Sequence, residues 1–168
     1  MIVGWDKFTG TMVVNVNMDF TSKTRWVFDG HRTAYLEGSL YAGFVLRESI
    51  RIALTYAEIN GLNVVAAEIR NVYLQVPSSQ KDYIICGTEF VFKNVGSKAL
   101  LIRELYGGKY VGHAFINHVR ECMHHLNFES CPTDTDVWMI SVMKADGLDY
   151  YENVLLYTDN ALVINEIG

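Results

Sequence analysis

Two acids of this chain sit where an acid could do metal chemistry. Near the C-terminus, Val154-Leu155-Leu156-Tyr157 is an apolar run that breaks at Thr158-Asp159-Asn160 and resumes as Ala161-Leu162-Val163-Ile164. That pattern predicts a tight β-hairpin with a carboxylate and an amide at its tip. An acid at a rigid turn can hold a divalent ion without losing its aim, the arrangement that metal-assisted nucleotide polymerisation requires. The second acid is Glu68, which follows the apolar run Val64 to Ala67. A buried strand ends this way when it presents an acid at the edge of a sheet. Asp and Asn are also ordinary turn formers, so the hairpin alone has a purely structural reading.

The elements that must carry these residues are legible in outline. Pro77 closes the Glu68 segment, since proline cannot continue a central ladder. Phe44 to Asn60 has helical spacing: Leu46, Ile50, Ala53, Leu54 and Ala57 form one stripe, with Arg47, Glu48, Arg51 and Glu58 outside it. Gly61 sits where a C-terminal cap belongs. A second helix is predicted over Tyr110 to Leu126, with Val111, Phe115, Val119, Cys122, Met123 and Leu126 as its apolar stripe. Short strands are expected at Met12 to Val16 and Tyr83 to Cys86. A hairpin follows, from Asp136 to Met143 and Tyr150 to Tyr157 about the turn that begins at Lys144. Lys23 and Arg25 are spaced by one residue, so they point to one face of a strand that Asp29-Gly30 turns. Helices segregated to one face of a mostly antiparallel sheet make an α+β domain.

Composition narrows the class. The 168 residues are half hydrophobic and one-fifth charged, which is globular and excludes a disordered chain. No apolar stretch approaches the ~20 residues of a membrane span, and the N-terminus carries no secretory pattern. Cys86, Cys122 and Cys131 form no C-x-x-C pair, so free, buried thiols in a reducing intracellular compartment, cytoplasm or nucleus, are expected. The net charge of −5 counts against strong unaided nucleic-acid binding, although Lys23, Arg25, Arg32, Arg47 and Arg51 could form a local basic face. Gly107-Gly108-Lys109 lacks the upstream glycine and the hydroxyl residue of a P-loop. Neither a nucleophile elbow nor a Ser-His-Asp order is present.

Taken in order, these segments resemble the reverse transcriptase of Ty1/copia-type retrotransposons. That family carries a basic K-A-R-L-V-A segment, a helix rich in I-R, a D-hydrophobic-x-x-A-[FY]-L strand, L-Y-G-L-K-Q-x-P-x-x-W and finally Y-x-D-D. Lys23 to Gly30 is similar to the first, Glu68 to Leu74 to the third, Leu105 to Phe115 to the fourth and Tyr157 to Asn160 to the last. The likeness runs from about Val14 to Ile164 and implies one reverse-transcriptase-like domain over 1–168, fingers and palm, with 1–17 poorly defined. The resemblance implies RNA-directed DNA synthesis, a nucleotidyl transfer by two Mg²⁺ ions, with a template-primer and deoxynucleoside triphosphates as partners. Glu68, Asp159 and Asn160 take the three metal-binding catalytic places. Lys23 and Arg25 take those of the triphosphate contacts, and Tyr73 that of the aromatic beneath the sugar.

Departures from the family pattern predict a crippled site. Glu68 adds a methylene to the family's aspartate, and a misplacement of ~1 Å can cost ~10²-fold. Asn160 removes a negative charge. Tyr110, Gly112 and Phe115 replace the glutamine, proline and tryptophan of the fourth motif. The sequence stops at Gly168, soon after the hairpin, so a truncated and degenerate copy without thumb, integrase or RNase H is expected. The alternative is a non-catalytic relic that folds and binds nucleic acid or a protein partner. His118, Cys122 and His125 share a helix face, which admits either a partial metal site or helix-edge packing.

Overall fold

Strand β9, Asp149–Tyr157, and strand β8, Asp134–Met143, explain the larger part of the architecture. Both carry apolar side chains at odd and even positions, so both faces of the sheet they form have to be covered. This computed structural model describes residues 6–30, 43–78, 80–144 and 146–166. Arg32, one of the cations expected on a basic face, lies outside them. The residues group into two compact units, 1–40 with 73–115 and 41–72 with 116–168.

The second unit holds a five-stranded sheet in the order β4-β10-β9-β8-β7, every pair antiparallel. Its remaining strands are β4 (Asn63–Glu68), β7 (Glu129–Cys131) and β10 (Asn160–Asn165). Helix α1 spans Arg47–Asn60 and closes on Gly61, whose φ of 61° is the left-handed cap that glycine adopts without strain. Ala53 and Ala57 of α1 pack with Val137, Leu155 and Ile164. Helix α3, Val111–His125, places Met123 against Trp138 and Leu156. Leu155 and Leu156 are consecutive, so their side chains leave opposite faces. The two helices therefore cover opposite faces, which corrects the expectation of helices on one face. The cause lies in Val137-Trp138 and Val154-Leu155-Leu156, whose apolar pairs give both faces a hydrophobic demand.

Strand β4 also departs from expectation. It is the edge strand, exposed along its whole length, and not a buried one. Val64 and Val65 are exposed, since β10 is its one sheet neighbour among the described residues. On the helices, Leu46, Leu54 and Leu126 are exposed, while Ile116, outside the predicted stripe, is buried.

The first unit contains β1 (Asp6–Phe8), β2 (Gly10–Val16), β3 (Ser22–Phe28), β5 (Asp82–Ile85) and β6 (Lys98–Leu100). Strands β2 and β3 form an antiparallel ribbon from Gly10↔Phe28 to Val16↔Ser22. In the other sheet, β5 lies between β1, to which it is parallel, and β6, to which it is antiparallel. The Tyr106-Gly107 segment docks on β3 through a bond from the Phe28 N–H to the Tyr106 carbonyl at 2.7 Å. Gly107 has φ 89° there, and a Cβ would collide with the Phe28 carbonyl, so two separate constraints require glycine. Among the described residues no helix is long and apolar enough to cross a membrane.

Candidate functional site

The β9–β10 hairpin forms as its sequence predicts, with Tyr157 opposite Asn160 and Thr158-Asp159 as a two-residue loop. Thr158 takes a φ of 54°, a region that β-branched residues seldom enter. The loop is tied to the exit of β4 by the Ile69 N–H, which donates to the Asp159 carbonyl at 2.7 Å. On the adjacent ladder Glu68 stands directly opposite Asn160. Directly opposed residues lie ~4.5–5.5 Å apart between Cα atoms. The fold thus brings together Glu68, Asp159 and Asn160, which are separated in sequence.

Their chemistry is not that of three carboxylates. The Asn160 side-chain amide donates to Asp159 Oδ1 at 3.0 Å. A second carboxylate at position 160 would repel Asp159 and share a cation with it, whereas the amide occupies one of its oxygens. Mg²⁺ requires oxygen donors in near-octahedral order. Two carboxylates, one of them engaged by an amide N–H, do not fit a pair of such ions. Among the described residues no group of three or more His, Cys, Asp or Glu is arranged to hold a metal. That also leaves His118, Cys122 and His125 without a metal-holding set.

The nucleotide-contact candidates lie in the first unit. Lys23, on β3 opposite Asn15, is exposed. Arg25, opposite Val13, is half-buried, and its guanidinium lies over the Tyr106 ring at 4.9 Å from the centroid. A cation over an aromatic face at this range is an attractive contact. Tyr73 belongs to the short helix α2, Val72–Gln75, and not to a strand. Its ring meets Tyr106 at 5.1 Å and Phe115 at 6.1 Å, edge to face in both cases. Arg25, Tyr106, Tyr73 and Phe115 therefore form a continuous stack in which Lys23 takes no part. Sequence spacing pairs Lys23 with Arg25, but the docking of Gly107 is what separates their environments.

Asp134 and Asp136 were not singled out by any motif, and both are buried. The Leu46 N–H donates to Asp134 Oδ2 at 2.8 Å and the Ser49 hydroxyl does so at 2.6 Å. Leu46 offers no side-chain cap to α1, so a strand residue remote in sequence satisfies the helix N-terminus. Burial raises the Asp136 carboxyl, the Arg120 guanidinium at 3.8 Å opposes that, and Asp134 adds to the rise. Of the thiols, Cys86 is buried as expected but Cys122 is exposed, on the outer face of α3. All three cysteines are free.

No family model matches the chain, and neither a curated protein nor a solved structure does.

Proposed function

We propose that this chain is the fingers-and-palm part of a Ty1/copia-type reverse transcriptase whose RNA-directed DNA synthesis is strongly impaired or lost. The observation that carries the reading is the register Glu68↔Asn160 beside the Asp159 turn, because it brings the acids of two neighbouring strands to one place, as the metal chemistry of a palm needs. Support for a finger-like role of the first unit comes from Arg25 and Tyr73, which share one aromatic stack. The ancestral partners are an RNA template with its primer, deoxynucleoside triphosphates and Mg²⁺, inside the cell. The Asn160 amide on Asp159 accounts for the impairment.

Primer extension on an RNA template, with Mg²⁺ and then Mn²⁺, tests this. The chain should give little or no product. The double variant Glu68→Asp, Asn160→Asp should gain at least ~10²-fold, since it restores both charge and reach. Extension by the unaltered chain would overturn the diagnosis of impairment. A folded double variant that stays silent would favour the second reading, a non-catalytic relic. That reading rests on the covering of both sheet faces by α1 and α3, and it predicts salt-dependent nucleic-acid binding that needs no Mg²⁺.

A further inference from the structure

Asp82 opens β5 and is 8% exposed, and its Oδ1 is buried with no hydrogen-bond partner. A buried, unpartnered carboxylate costs several kcal/mol, so the group must be protonated or meet a cation. It forms part of the wall of a small cavity of about 30 Å³. A space of this size holds roughly one water-sized species. Ser78, Glu104, Phe8, Phe28 and Tyr110 belong to the same wall. Carboxylates and ring faces are the two environments that attract a small cation. Glu104 and Asp6, on β1, both act on Asp82 with negative charge. Among the described residues, Lys109 is the cationic one in the wall.

We propose that this cavity is a binding site for a small monovalent cation of the potassium or ammonium class, held by Asp82 with Glu104. A divalent ion is disfavoured, because no set of three acidic, His or Cys ligands assembles among the described residues. The inference is independent of the reverse-transcriptase reading, as no residue of the Glu68 site takes part. The rival is internal neutralisation by Lys109, which would make the identity of the solution cation immaterial.

Thermal unfolding of the full chain in chloride salts of potassium, ammonium, sodium and tetramethylammonium, at equal ionic strength, separates the two. Tetramethylammonium is too large for the cavity. At about pH 7.5 and ~100 mM salt, at least one small cation should raise the midpoint by roughly 3 °C over tetramethylammonium. The difference should vanish at about pH 4.5, where Asp82 is protonated, and in Asp82→Asn. Equal midpoints in all four salts at the higher pH overturn the proposal, as does a preference that survives in Asp82→Asn. The pH comparison uses the unaltered chain, so it decides the matter even if the variant fails to fold.

Discussion

At the scale of single residues, Thr158 is the least comfortable position in the hairpin. A β-branched residue held at φ 54° costs on the order of 1–3 kcal/mol, and glycine adopts the same angle freely. Thr158→Gly is expected to stabilise the chain by about 1 kcal/mol net, part of the gain being lost to the entropy of the unfolded chain. Urea denaturation would read this as a higher midpoint with an unchanged slope; a lower midpoint would mean that the threonine side chain contributes more than its backbone costs. The residues at this tip were legible in the sequence because a two-residue turn between apolar runs depends on local chemistry alone. What was not legible is the bond from Asn160 to Asp159, since side-chain rotamers at a turn are not fixed by pattern.

At the scale of elements, α1 depends on a cap that its own sequence lacks. Asp134 receives both the Leu46 N–H and the Ser49 hydroxyl, and it places negative charge at the positive end of the helix. Asp134→Ala should cost about 1–2 kcal/mol and should fray the first turn of α1 before the rest. Hydrogen exchange would show the loss as faster amide exchange confined to residues 46–49; uniform acceleration along α1 would argue for a role beyond capping. Helix α1 itself was readable from the spacing of Ala53 and Ala57, and its end from Gly61. The cap was not readable, because it arrives from a strand distant in sequence. Strand β4 was misread for a related reason. An apolar run such as Val64 to Ala67 signals a strand, but whether that strand is central or at the edge depends on its partners. The end of that strand at Glu68 was legible, but Tyr73, expected in a strand from the motif it matches, stands on α2.

At the scale of the whole molecule, charge and folding couple through Asp82. Burial first, then the negative charges of Asp6 and Glu104, raise its carboxyl to about 6. Its value in the unfolded chain is ~3.9. Between these values the folded chain binds the extra proton, so stability falls as pH rises from about 4 to about 6 and is level beyond. In a salt of a large cation, Asp82→Asn is therefore expected to stabilise the chain by up to about 3 kcal/mol at about pH 8 and hardly at all near pH 4. Denaturant titration at the two pH values checks this; a gain that does not change with pH would assign the effect to packing.

The pairing of β4 with β10 also bears on synthesis at the ribosome. The strand that ends in Glu68 is made before β10, its sheet partner among the described residues, which lies roughly ninety residues further along. At ~5–20 residues per second, an apolar edge waits several seconds or more for its neighbour. During that interval the nascent chain exposes a row of unpaired amides and carbonyls, and chains translated side by side on one message present the same row to each other.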